Sequence, residues 1–175
     1  MLGTLFSMNN ATNRRTAIPA CIAIVVCVAV VVSILTVRRA AEREYASYET
    51  LCSLGAEGDD WVSLLEIFTG RPPIVQVEIP AEVPKETTFA LLPDLRNLEA
   101  LTLEYDSLTD RQLDTISELG LNALNFEGDF PTDSDISRLS RFRGVQFIDV
   151  PPGNLSSEAQ KKVRALLSSS IIDFD

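Results

Sequence analysis

The 175-residue chain contains no histidine, and that absence removes more chemistry than any other feature of its composition. Without imidazole there is no Ser/His or Cys/His nucleophilic pair and no His-ligated metal centre. The eight glycines never stand two apart, so G-x-G-x-x-G is absent, and no G-x-x-x-x-G-K-[ST] phosphate cradle occurs. An enzyme is therefore not expected, and neither a cofactor nor a small-molecule substrate is evident. Cysteine is scarce: Cys21 and Cys27 share one apolar run, and Cys52 stands alone beyond it. An intradomain disulfide framework is thereby excluded. Cys52 reads as an apolar helix residue facing inward.

Acidic residues are missing from the first 39 positions, which hold four arginines, while the other 136 carry all 25 acids and 11 bases, a net charge of −14. The two parts are built for different solvents. With an isoelectric point near 4.5 the whole chain repels phosphate backbones and anionic headgroups, so no nucleic-acid partner is expected. From Ala17 to Val37 the chain runs 21 residues without a charge, dominated by Ile, Val and Ala. At 1.5 Å per residue this run is about 31 Å long as a helix and matches a hydrocarbon core of about 30 Å. A cleaved signal peptide would carry a shorter apolar region followed by small residues, whereas this run ends in Val37-Arg38-Arg39. Residues 17–37 are thus expected to cross a lipid bilayer once. Arg14 and Arg15 flank one side and Arg38, Arg39 and Arg43 the other, so basic charge does not choose which side holds the soluble part.

Residues 1–16 have no periodicity and read as a disordered tail. Residues 38–73 read as a juxtamembrane helix and a helical cap. In the first, Ala41, Tyr45, Tyr48, Leu51, Cys52 and Leu54 recur at helical spacing; Gly55 to Asp60 break it. Asp59 or Asp60 can then open a short second helix with Trp61, Val62, Leu64, Leu65, Ile67 and Phe68 inward.

Residues 74–175 carry a pattern that returns five times: I-x-x-V-x-I ending at Ile79, L-x-x-L-x-L at Leu103, L-x-x-L-x-F at Phe126, V-x-x-I-x-V at Val150 and I-x-F at Phe174. Its middle residues, Val77, Leu101, Leu124, Ile148 and Ile172, lie 24, 23, 24 and 24 apart. A constant period in the twenties marks a supersecondary unit that buries its apolar side only by stacking on its neighbours. Each unit reads as strand, turn and helix. Thr109 and Asp110 open one helix, Thr132 and Asp133 a second, and Ser156 to Glu158 a third. Pro80 and Pro84 shape the first turn, and Ile172 and Phe174 close the sheet. The predicted fold is α/β: a short solenoid with a parallel sheet of about five strands, behind one transmembrane helix and a helical N-terminal cap.

The run Leu98-x-x-Leu101-x-Leu103-x-x-Asp106-x-Leu108 resembles the leucine-rich-repeat signature, and T-D-x-x-L-x-x-I from Thr109 to Ile116 is similar to the helix start of bacterial-type repeats. T-D-x-x-I-x-x-L returns from Thr132 to Leu139. The resemblance departs from the family at the turn asparagine, replaced by Glu82, Asp106, Asp129 and Gly153. A carboxylate accepts but does not donate, which rules out a continuous amide ladder at those turns. The resemblance implies protein recognition on the concave side of the sheet. There the residues between inward positions form columns: Gln76, Ala100, Ala123, Phe147, Ile171; then Glu78, Thr102, Asn125, Asp149, Asp173; then Pro80, Glu104, Glu127, Pro151, Asp175. Candidate partner-binding residues are Gln76, Glu78, Thr102, Glu104, Asn125, Glu127, Phe147, Asp149 and Ile171, a greasy patch beside negative charge. A merely solvated face explains the same columns. Glu127, Asp129, Asp133 and Asp135 do not match a Ca²⁺ loop and read as turn and cap acids. The expected function is a membrane-anchored module that binds a protein partner through this face. The alternative is a structural protein that self-assembles through its span, which has Ala20, Ala23 and Ala29 but no G-x-x-x-G.

Overall fold

Alternating apolar residues send Val77, Leu101, Leu124, Ile148 and Ile172 to one side of their strands, and in the computed structural model these five are direct partners across one sheet. The structure describes residues 9–60 and 73–174. The sheet has six strands in sequence order: β1 (Glu57–Asp60), β2 (Ile74–Ile79), β3 (Ala100–Leu103), β4 (Ala123–Phe126), β5 (Phe147–Asp149) and β6 (Ile171–Asp173). From β2 to β6 the pairing is parallel, and each connection moves to the adjacent strand.

The sixth strand is a correction to the expected five. Glu57–Asp60, read as a break before a cap helix, pairs antiparallel with β2. A parallel sheet starting at β2 would leave that strand's outer N–H and C=O groups unpaired, and β1 satisfies them. Gly58 is required there, because a Cβ would come within 2.6 Å of the Gln76 carbonyl oxygen and 2.8 Å of the Tyr48 ring. The second cap helix expected around Trp61 to Phe68 lies outside the described residues.

Helix α1 (Asn9–Ser53) runs 45 residues without interruption. It begins inside the segment read as a disordered tail; residues 1–8 lie outside the described residues. Large apolar side chains from Ile24 to Val37 stand exposed, and the helix is long and apolar enough to cross a membrane, a test that a signal sequence also passes. Its last turns dock on the sheet edge, burying Glu44, Ser47 and Leu51. This stripe is shifted from the predicted one: Leu54 is exposed and Cys52 half-buried. The shift follows polar partners. Glu44 accepts from the Asn97 side-chain amide at 2.8 and 3.1 Å, Ser47 Oγ donates to Asp94 at 3.0 Å, and Tyr48 Oη donates to the Gly58 carbonyl at 2.8 Å.

Behind the sheet lie α2 (Lys85–Leu91), α3 (Asp110–Glu118) and α4 (Ser157–Leu166). Helix α3 opens with a capping box, in which Gln112 N–H donates to Thr109 Oγ1 at 3.3 Å and Thr109 N–H to Gln112 Oε1 at 2.8 Å. Ser156 caps α4 by accepting from Ala159 N–H at 3.2 Å. The helix expected after Thr132 is instead two 3₁₀ segments, Asp133–Asp135 and Arg138–Phe142. Ser134, Ser137 and Ser140 hydrogen-bond locally or lower helix propensity, and Ser140 Oγ donates to the Ser137 carbonyl at 2.8 Å. Phe126, Phe130 and Phe142 are buried together beside these segments, the first pair edge to face at 5.1 Å. The core is continuous from Leu51 through the strand and helix residues to Ile172.

Candidate functional site

Strand alternation sends one set of side chains into the core and leaves the other on an open face. Two of the three predicted columns are aligned there residue by residue. Gln76, Ala100, Ala123, Phe147 and Ile171 are successive partners, as are Glu78, Thr102, Asn125, Asp149 and Asp173. Glu104 and Glu127 follow β3 and β4 and extend the sheet, their N–H groups donating to Ile79 and Leu103 carbonyls at 3.1 and 2.9 Å. Asp175, the last member of the third column, lies outside the described residues.

The face is not uniform. Thr102 is buried and accepts from Asn125 Nδ2 at 3.3 Å, so this candidate serves to hold its neighbour in place. Phe147 and Ile171 are its apolar centre: among the described residues beyond the membrane-length run, the exposed large apolar side chains are Leu54, Phe147 at 49% and Ile171 at 64%. Phe147 and Ile171 are direct cross-strand neighbours, which joins them into one patch.

On the β2 to β4 side, carboxylate oxygens of Glu78, Glu104 and Glu127 lie within 4.8 Å of one another. Glu104 also accepts from Ala81 N–H at 3.2 Å, which orients it. Burial pushes the Glu127 carboxyl above its ordinary range, and the charges of Glu78 and Glu104, a side-chain hydrogen bond with Glu104 and the charge of Asp149 add to the rise. As a metal site the three would supply one oxygen each, against the roughly six to eight that Ca²⁺ prefers. Their common property is concentrated negative charge.

Glu78 belongs to one predicted column and Glu104 and Glu127 to the next, so column reading alone does not reveal the triad. The signal was a diagonal offset of two positions on neighbouring strands, a distance that long side chains cover. Of the four acids weighed as a Ca²⁺ loop, Glu127 belongs to the triad, and Asp133 and Asp135 have other work. Asp135 accepts from Thr132 N–H at 3.0 Å and pairs with Arg138 at 2.5 Å, and Asp133 accepts from Ser156 N–H at 2.8 Å. The bonds from Ser156 hold the Asp133 carboxyl below its usual range.

A side-chain ladder also crosses the strand starts, where Gln146 donates to Asn122 at 3.4 Å and Asn122 to Glu99 at 3.3 Å. It lies at the opposite end of the strands from the turns where an amide ladder was ruled out. A groove of about 320 Å³ on the helical side is lined by Pro93, Leu95, Arg96, Thr115, Glu118 and Leu119, with no converging nucleophile or acid pair. Compared with known proteins, the chain matches no protein-family model and no curated protein.

Proposed function

We propose that this protein is a single-pass membrane-anchored interaction module, in which a short leucine-rich-repeat-like solenoid binds a protein partner through the open face of its sheet. The observation that carries this reading is the pair Phe147 and Ile171, exposed side by side on a face whose other columns are polar and acidic. Exposed aromatic and aliphatic residues ringed by polar ones are characteristic of protein-binding patches. The solenoid reading is supported by the sequential parallel strands and by the alignment of residues 23 or 24 apart. The anchor reading is supported by the bare apolar surface of α1 from Ile24 to Val37. Anchoring would raise the module's effective concentration for other membrane-bound proteins. Self-assembly through the span has less support, because Ser33 and Thr36 each donate their hydroxyl proton to a carbonyl of their own helix at 2.8 Å.

The test is photo-crosslinking in intact cells, with a crosslinking amino acid at Phe147 and, as control, at Glu118 on α3. A discrete adduct from position 147 and none from 118 is the expected result. Equal or absent adducts at the two positions would sink the open face as the binding surface. Carbonate extraction of the same cells checks the anchor: the full-length chain is expected to stay with the membrane, whereas release of a shortened chain would identify a cleaved leader.

A further inference from the structure

Resting on the interaction reading, we infer that the open face takes a cationic and apolar peptide segment of its partner, with a Lys or Arg set among Glu78, Glu104 and Glu127 and a large apolar side chain on Phe147 and Ile171. The apolar pair marks the face as a docking surface, and the charge beside it selects the occupant. Three carboxylates within 4.8 Å repel one another, and Asp149 and Asp173 extend the same sign toward the patch. A partner's ammonium or guanidinium relieves that repulsion on binding, which converts a cost of the free protein into affinity and steers encounter. An acidic or neutral segment covering the same patch would bury these carboxylates without a counter-charge, which is unfavourable.

The sheet also sets a spacing. The triad is centred near β3 and the apolar pair between β5 and β6, about two and a half strand spacings of 4.8 Å away and about three to four residues nearer the strand starts, a diagonal of roughly 16 Å. An extended chain rising about 3.3 Å per residue covers that distance in about five residues. The motif is therefore a basic residue and a large apolar residue about five positions apart.

A random linear-peptide phage library, selected on the full chain in zwitterionic nanodiscs and depleted on empty nanodiscs, tests this. Lys or Arg enriched about five positions from Phe, Trp, Leu or Ile is the expected outcome. A recovered peptide should bind roughly tenfold more weakly to Glu104→Gln/Glu127→Gln and to Phe147→Ser, and equally to Glu118→Gln. Gln still accepts from Ala81 N–H, so the double variant keeps that bond, and a melting temperature that does not fall shows that the loss is not unfolding. Enrichment without cations, without a fixed spacing, or with binding indifferent to the two Gln substitutions overturns the assignment. The crosslinking experiment separates this failure from that of the broader reading. An adduct at Phe147 that persists in the double Gln variant leaves the face as a binding surface and removes the cationic partner, whereas no adduct at all removes both.

Discussion

Glu44 shows how one residue can decide where a helix docks. Hydropathy places the inward stripe of this segment on Tyr45, Tyr48 and Leu51, yet a carboxylate one position away is buried because Asn97 offers it both a side-chain amide and its backbone N–H. Such a pairing joins residues 53 apart and has no periodicity that a sequence can display. Burial raises the Glu44 carboxyl above its ordinary range, against the lowering effect of the Asn97 bonds. The folded state therefore holds the proton more tightly than the unfolded one, and stability falls as pH rises through the raised value. At low pH Glu44 and a glutamine are both neutral and similar in shape. Glu44→Gln should therefore have a melting temperature that falls less than the native chain's as pH rises above the ordinary glutamate range, the gap moving in favour of the variant. Parallel melting curves against pH would show that Glu44 titrates alike in the folded and unfolded states.

Elements were legible in the sequence where an apolar pattern had to be obeyed, and hidden where main-chain bonds or side-chain networks did the work. The strands β2 to β6 follow from residues 23 or 24 apart that share one core. Helices α3 and α4 follow from Thr109 and Ser156 ahead of apolar residues at helical spacing. By contrast β1, with the sequence Glu-Gly-Asp-Asp, has no apolar alternation and is recruited by the hydrogen-bonding edge of β2. The unit after Thr132 carries the same helix start as α3 but holds its place differently. Arg138 Nε pairs with Asp110 at 2.8 Å, its guanidinium also pairs with Asp135 and donates to the Leu108 carbonyl, and Arg141 pairs with Asp114 at 2.6 Å. This network ties the 3₁₀ segment to α3 and to the turn before it. A lysine has no planar fork to reach three acceptors at once. Arg138→Lys is expected to cost about 1–3 kcal/mol in chemical unfolding, since the Leu108 carbonyl or one carboxylate loses its donor. The same substitution should speed amide exchange between Thr132 and Gly144 while β2 and β3 keep their protection. A stability within about 0.5 kcal/mol of the native chain would mean that the network is a solvated surface cluster.

At the scale of the whole molecule, the face proposed for binding and the segment proposed for anchoring belong to one continuous body. Helix α1 passes from the apolar run into the docked stripe without a break, and the first buried residue after that run, Glu44, is seven positions after Val37. Seven residues of helix are about 10 Å, so in the anchored reading the sheet stands within one layer of headgroups and water of the bilayer. Three hydrogen-bonded contacts, from Glu44, Ser47 and Tyr48, together with fully buried Leu51, fix the sheet's rotation about the helix axis. A domain on a flexible linker would sample every orientation, whereas in the anchored reading this mount would present the open face in one direction to proteins in the same membrane. The mount can be read from lifetimes of energy transfer between a fluorophore at Lys161 and acceptor lipids in nanodiscs. The native chain should give one narrow distribution of distances. Inserting a Gly-Gly-Ser-Gly segment after Arg39 breaks the helix ahead of Glu44 while leaving its docking contacts intact, and the distribution should broaden. Capture of the crosslinked partner should fall with it, because a face free to turn away loses the effective concentration that the rigid helix secures. An insertion that leaves the distance distribution narrow would place the orienting contact elsewhere, between the sheet and the lipid surface itself.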